Sequence, residues 1–268
     1  MKPVVGVVGA GRMGQPIIGH LQRKGFETHV YDIDPGKRPG VEAAGAKWAS
    51  DPAALAAASE VVLICVGYDE ELRELLPQLL ASARRGSIYA VLSTVHPETV
   101  QGLAATGAPQ GIELVDATMC RGGKAADEGT LLCFVGGDAA TVERLRPVLA
   151  AFASDIVHAG AVGTAQVAKA VNNLILWACL VADHEGLALA HRFGLDVNML
   201  RHALGISSAA NDALKKWGTQ TMAWADDDMA IVADMAAECG LKLPQAQVTR
   251  EICRALKPRR YKLDEYGR

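Results

Sequence analysis

The chain has 268 residues, half of them hydrophobic and about a fifth charged, a balance that excludes a disordered protein and leaves room for two domains. Its 27 basic and 30 acidic residues give a formal net charge of −3. They are spread along the chain, which argues against nucleic-acid and membrane-surface partners and for a small molecule.

Met1-Lys2-Pro3 leads directly into an apolar run at residues 4–8, leaving no room for a signal peptide. No uninterrupted apolar stretch reaches the length of a bilayer span, so a cytoplasmic location without membrane partners is expected. The six cysteines follow no CxxC spacing and read as buried thiols of a reducing compartment.

Gly9-Ala10-Gly11-Arg12-Met13-Gly14 follows the first run, and a second, residues 28–31, ends at Asp32. Gly9 lets the chain turn off the strand, Gly11 puts no side chain between backbone and pyrophosphate, and Gly14 lets the helix lie close to the sheet. Phosphates then meet unpaired N–H groups at the positive end of the helix opening near Arg12. Asp32 falls 18 positions beyond Gly14, where a carboxylate accepts from the adenosine ribose hydroxyls and repels the 2′-phosphate of NADP. Lys37 and Arg38 can still reach such a phosphate. NAD is therefore expected, with NADP left open.

Further strands are expected at residues 61–66, 88–92, 114–117, 131–135 and 156–158. Between them lie helices with start signals at Asp51-Pro52, Pro97-Glu98 and Asp138 ahead of 139–151. This alternation predicts an α/β Rossmann domain, a doubly wound parallel sheet over residues 1–160.

After Gly160-Ala161-Val162-Gly163, residues 164–193 run without proline and with Gly186 alone inside them. Val167, Val171, Leu174, Ile175 and Ala178 recur on helical spacing. Thirty such residues make a helix of roughly 45 Å, a length suited to joining two bodies and packing against a partner. Helices are expected again at 197–204, 209–217, 228–239 and 245–256, so residues 161–268 form an all-helical domain, and a homodimer or homotetramer is expected. The basic tail from Lys257 to Lys262 reads as a solvated end.

On the long helix stands Lys169-Ala170-Val171-Asn172-Asn173. Residues three and four apart share a helix face, so the ammonium and both amides point one way. Burial disfavours the charged form of a lysine, which suits a proton donor or acceptor near neutral pH. A snorkelling surface lysine fits the same pentapeptide. His184, His191 and His202 lack paired ligands, and no metal site is expected.

The glycine turn, Leu92-Ser93-Thr94-Val95-His96-Pro97, Val115-Asp116-Ala117, Gly129-Thr130-Leu131, Val135-Gly136-Gly137, Gly160-Ala161-Val162-Gly163 and Lys169-x-x-Asn172-Asn173 stand in one order. In this the chain resembles the β-hydroxyacid dehydrogenases, which include 3-hydroxyisobutyrate dehydrogenase, tartronate semialdehyde reductase and 6-phosphogluconate dehydrogenase. The resemblance implies an NAD(P)-dependent oxidoreductase interconverting a small acidic β-hydroxyacid and its semialdehyde. It implies Lys169 as acid/base and Asn173 as the amide that holds the hydroxyl or the adjacent carboxylate, with Asn172 beside it. It also implies Val66, Gly67 and Thr94 along the cofactor and Ser93 near the nicotinamide and substrate.

Two departures stand out. Where the family has Pro-Val-Ser-Gly-Gly around the substrate carboxylate, this chain has Thr118-Met119-Cys120-Arg121-Gly122-Gly123. Cys120, Arg121 and Gly122 are then the substrate-loop candidates. Arg121 favours a carboxylate, sulfonate or phosphate, or turns away to a structural carboxylate. Where the family has Lys-Asp-Leu, Asp227-Asp228-Met229 remove the lysine that closes over the cofactor, and the aspartates read as helix caps. From another class comes a catalytically altered dinucleotide-binding scaffold, against which Lys169 and Asn173 speak.

Overall fold

The valine-rich runs form strands buried on both faces, as a parallel sheet covered by helices requires. In the computed structural model, which describes residues 2–267, the chain divides into a unit ending at Lys169 and a unit beginning at Ala170. The first unit opens with β1 (Val5–Val8), α1 (Gly14–Arg23), β2 (Thr28–Tyr31), α2 (Arg38–Ala43), β3 (Lys47–Trp48), α3 (Pro52–Ala58), β4 (Val61–Ile64) and α4 (Asp69–Leu80). It continues with β5 (Ile88–Val91), α5 (Pro97–Gly107), β6 (Glu113–Cys120), α6 (Gly122–Glu128), β7 (Leu131–Gly136), α7 (Ala139–Leu149), β8 (Ala153–Gly160) and the start of α8 (Thr164–Arg192).

The eight strands lie in the order β3-β2-β1-β4-β5-β6-β7-β8, the Rossmann arrangement extended at one edge. Side chains alternate between two cores with the period of a strand. Val5, Val7, Val61, Leu63, Ile88 and Ala90 pack with Ile17, Ile18 and Leu21 of α1. Val8, Val62, Ile64, Tyr89 and Val91 pack with Leu72, Leu76 and Leu79 of α4. Helix starts follow the sequence signals: Asp51 accepts from the Ala54 N–H and Asp138 from the Ala140 N–H.

Two features depart from expectation. β3 has two residues, too few to leave a pattern, and β6 pairs antiparallel with β7. Residues 121–130 alone link those strands, and a parallel return needs a crossover of roughly a dozen residues or more. The division between units falls inside α8, beyond the expected boundary at 160/161.

The second unit holds the rest of α8 with α9 (Val197–Leu204), α10 (Asp212–Lys215), α11 (Ala225–Glu238) and α12 (Pro244–Leu256), and no strand among its described residues. By length and composition α8 is apolar enough to cross a membrane. Trp177, Leu180 and Val181 of α8 pack among Met222, Met229, Val232, Cys253 and Leu256. The three aspartates at the start of α11 stand in its first turn and not at the cap position, which Trp224 occupies. Asp226 accepts from Arg250 and Arg254 of α12, and Asp228 accepts from the Trp177 indole.

Nor is the basic tail a free end. The Tyr261 ring lies 4.9 Å from that of Trp217 and 5.2 Å from that of His184, and its hydroxyl bonds to Gln220. Buried His184 donates from Nδ1 to the Leu180 carbonyl at 2.7 Å and accepts the Tyr261 N–H at Nε2 at 3.0 Å. Both contacts together require the neutral ring, and burial holds the imidazole below its ordinary 6.5. The unfolded chain therefore takes up this proton first, so the stability His184 contributes is present above about pH 6.5 and is lost as the pH falls below it. We expect the melting temperature of the parent to fall more between pH 7.5 and 5.5 than that of His184→Gln, which keeps one donor and one acceptor. Equal pH dependence in two melting series would contradict this role.

Candidate active site

The chain leaves β1 through a turn in which Gly9 has φ +96° and no room for a side chain against the Cys65 carbonyl. A Cβ at Gly14 would run into the Gly9 carbonyl, while one at Gly11 would meet nothing within 4 Å. At the start of α1, Met13 makes no side-chain cap and no acid stands in the first turn, unlike the aspartate-capped helices α3 and α7. Its opening N–H groups suit an anion. Asp32 accepts from the Ala10 N–H at 2.7 Å and the Asp34 N–H at 2.9 Å, holding the turn to the end of β2. These residues fit a dinucleotide: open space over the turn, N–H groups for the pyrophosphate, and a carboxylate at the ribose position. Arg12, expected at the cofactor, spends its guanidinium in a two-pronged pair with Asp127 of α6 at 2.8 and 2.7 Å. That pair holds the Asp127 carboxyl below the usual range. Only the backbone of Arg12 is then offered to a phosphate.

At the C-terminal ends of β4 and β5 the two loops are sewn together. Ser93 donates its hydroxyl to the Val66 carbonyl at 2.7 Å and accepts the Val66 N–H at 2.9 Å. The Ser93 hydroxyl is thereby engaged in joining the two loops. Gly67 donates its N–H to Glu71, and Thr94 is half-buried between two anchored neighbours.

The anchor of those neighbours is Gln166, which the sequence reading missed. Its side chain accepts the Val95 N–H at 3.0 Å and donates to the Ser93 carbonyl at 2.9 Å. The available signal was a polar side chain one turn before Lys169 in a segment fit for burial. Its own N–H and that of Gly163 go to Asp116, a fully buried carboxylate on β6, at 3.0 and 2.8 Å. Burial pushes the Asp116 carboxyl up, and the N–H groups of Gly163 and Gln166 oppose the shift. Thr118 adds a bond to the Ala165 carbonyl. One strand thus fixes the first turn of α8, and one turn later Lys169 donates from Nζ to the Met119 carbonyl of that same strand at 2.7 Å. Further along α8, Asn172 donates to Oδ1 of the buried Asn173 at 3.1 Å.

In the loop after β6, two of the substrate-loop candidates are engaged within the fold. Cys120 is buried in the strand opposite Leu132, so its thiol is not presented to a substrate. Arg121, at φ +82°, turns to Asp155, Ser154 and the Thr130 carbonyl, with 2.7 Å to the carboxylate. It staples the loop to β7 and β8, and the Asp155 carboxyl is lowered by Ser154 and by this arginine. A ligand-gripping role for the guanidinium loses to the structural one. Gly122, at φ +77°, has open space where a side chain would stand.

A Rossmann sheet, an uncapped helix behind a glycine turn and a lysine aimed from the following helix define a dinucleotide-dependent oxidoreductase. Residues 4–160 match the NAD-binding domain of 6-phosphogluconate dehydrogenase, and residues 163–265 match the NAD-binding domain of NADP-dependent 3-hydroxyisobutyrate dehydrogenase. A 3-hydroxyisobutyrate dehydrogenase of Pseudomonas aeruginosa is 32% identical over 256 residues, 92% of this chain and 86% of its own. The 2-(hydroxymethyl)glutarate dehydrogenase of Eubacterium barkeri is 30% identical over 79% of this chain and 71% of its own. The solved 3-hydroxyisobutyrate dehydrogenase of Mycobacterium tuberculosis with L-serine superposes with a TM-score of 0.89 at 25% identity, covering 97% of this chain and 95% of that one. The chain belongs to the β-hydroxyacid dehydrogenase family of NAD(P)-dependent oxidoreductases, which sets the scaffold alternative aside.

Replacing Gln166 by Leu leaves the buried Val95 N–H and Ser93 carbonyl unpaired, at a cost of about 2 kcal/mol. Urea unfolding should show that loss, and initial rates should show a raised KM for the cofactor because Thr94 is no longer held. An unchanged midpoint and KM would contradict the anchoring role.

Proposed function

We propose that this chain interconverts a hydroxyacid of the form HOCH2–CHR–COO⁻ and its semialdehyde, with Lys169 as acid/base. The observation that carries the reading is the Lys169 ammonium held on the Met119 carbonyl, one turn beyond a helix start anchored from the same strand. The molecules named with the three relatives, 3-hydroxyisobutyrate, 2-(hydroxymethyl)glutarate and L-serine, share a hydroxymethyl group on the carbon that bears the carboxylate. They differ in R alone, which makes R the point of specificity.

When bound, the nicotinamide supplies the hydride acceptor or donor. In the oxidising direction the neutral amine of Lys169 takes the hydroxyl proton as hydride leaves the carbon that bears that hydroxyl, and in the reducing direction the Lys169 ammonium returns a proton to the aldehyde oxygen. The Met119 carbonyl takes one N–H of the ammonium and fixes the direction of the others. Asn172 orients Asn173 by donating to its Oδ1, which leaves the Asn173 amide donors for a substrate oxygen. With Arg121 paired to Asp155, the backbone around Gly122 is what that loop offers to the carboxylate. Asp32 at the ribose position supports NAD as the preferred cofactor.

Exposed apolar residues on the second unit, among them Val171, Ile175, Leu189, Phe193 and Ile206, support a homodimer or homotetramer. Light scattering that returned the mass of one chain would remove that part. Six cysteines with no disulfide among the described residues support a reducing, cytoplasmic setting.

The test is NADH and NADPH oxidation with methylmalonate, malonate and 2-formylglutarate semialdehydes and serine-derived aminomalonate semialdehyde, parent beside Lys169→Ala. Expected is NADH-preferring turnover that falls by roughly 10²–10⁴-fold in the variant while NADH binding is kept. Turnover unaffected by Lys169→Ala would overturn the assignment.

A further inference from the structure

Gly122 opens α6, a seven-residue helix that packs on α1. Ala125 and Ala126 lie in one apolar cluster with Ile17, Ile18 and Leu21. At the far end of α6, His20 donates from Nε2 to the carbonyls of Ala126 and Asp127 at 3.0 and 3.1 Å, and its Nδ1 accepts from Arg23 at 2.9 Å. A helix leaves such last-turn carbonyls to be satisfied from outside.

Arg12 reaches the same short helix from the nucleotide turn. Its guanidinium forks onto both oxygens of Asp127 at 2.8 and 2.7 Å. Gly123 and Asp127 are one turn apart and share a face, and a Cβ on Gly123 would stand 2.6 Å from Nη2 of Arg12. Gly129 gives His20 the same room, with 2.6 Å between an added Cβ and Cε1. Two glycines at the ends of α6 thus admit one side chain of the turn and one of α1.

Both partners of the Arg12–Asp127 pair are more than half exposed, and an exposed pair of one contact contributes little to stability. A fork differs in that two parallel N–H···O bonds fix orientation as well as distance. The apolar contact and His20 already hold α6 on α1, so the distinct effect of the fork is on position. On the opposite side Arg121 staples the residue before Gly122 to Asp155. Gly122 is therefore gripped from β8 and from the nucleotide turn.

We propose that Arg12 and Asp127 are positioning residues for the hydroxyacid, a tie through which a nucleotide settled on the glycine turn holds the backbone at Gly122 in place for the substrate carboxylate. The inference rests on the reading that Gly122 meets that carboxylate. Neither side chain takes part in the hydride or proton transfer. Order that the nucleotide imposes on the turn is order the second ligand need not impose, and by linkage the effect on affinity is mutual.

The experiment is amide hydrogen exchange on the parent, Asp127→Asn and Arg12→Gln, each free and saturated with NADH, followed by KM and kcat for the best aldehyde at saturating NADH. In the parent, NADH should slow exchange at residues 9–14 and at residues 122–128. Asp127→Asn should keep the first protection and lose the second. Its KM for the aldehyde should rise at least about fivefold, with kcat and the Kd for NADH within about twofold of the parent, the signature of lost substrate binding without lost chemistry. In the double variant KM should rise no further than in the worse single one, because the two side chains act as one unit. Absence of NADH-dependent protection at 122–128 in the parent, its survival in Asp127→Asn, or an unchanged KM in that variant would overturn the proposal. A parent that turns over no aldehyde would overturn the hydroxyacid reading instead, and exchange alone then decides the tie. Should Asp127→Asn melt below the assay temperature, exchange at 122–128 in NADH-saturated Arg12→Gln decides by the same criterion.

Discussion

Asp116 is a carboxylate with no exposure to solvent that accepts two N–H groups from the first turn of α8, and the site depends on that contact. Burying such a charge costs several kcal/mol. Each hydrogen bond to it contributes about 1.5–3 kcal/mol, and the positive end of a long helix adds to them. The terms nearly offset, so the contact contributes little net stability. What it contributes is position: the helix start is fixed against β6, and Lys169, one turn on, reaches the Met119 carbonyl of that strand.

From that contact the arrangement spreads through backbone groups. Gln166 sits in the anchored turn and bonds to both peptide groups that flank Thr94, and Ser93 carries the constraint on to Val66. Asp32 holds the glycine turn, and the Arg12–Asp127 pair ties its far side to α6. Apart from Asp32, whose carboxylate also stands at the ribose position, the side chains that tie these loops together are engaged with one another and with the backbone. The groups left over, the N–H groups of α1, the backbone at Gly122 and the remaining protons of Lys169, are those a nucleotide and a hydroxyacid need.

Much of this was legible in the sequence. Strands announced themselves by apolar runs, helices by aspartate or proline at their starts, and the nucleotide turn by three glycines between a strand and a helix. What was not legible depends on distance along the chain. Asp116 and Gly163 stand 47 positions apart, and nothing local marks the one as the cap of the other. Arg121 was ambiguous because a guanidinium binds a substrate anion and a structural carboxylate by the same geometry, and Asp155 lies 34 positions away. The bond of Ser93 to Val66 left no local mark, because a hydroxyl beside a cofactor loop serves a ligand and a neighbouring peptide equally well. The aspartates of α11 were read as caps, and only the packing of α12 reveals Arg250 and Arg254 as the partners of Asp226.

The account turns on whether the buried carboxylate positions the lysine. Asp116→Asn keeps the shape but presents an NH2 group to one of the two helix N–H donors it must satisfy. Measured side by side, the dissociation constant for NADH and kcat with the best aldehyde should separate: NADH binding within about twofold of the parent, and kcat lower by at least about tenfold. Unchanged kcat in a folded Asp116→Asn protein would contradict the account.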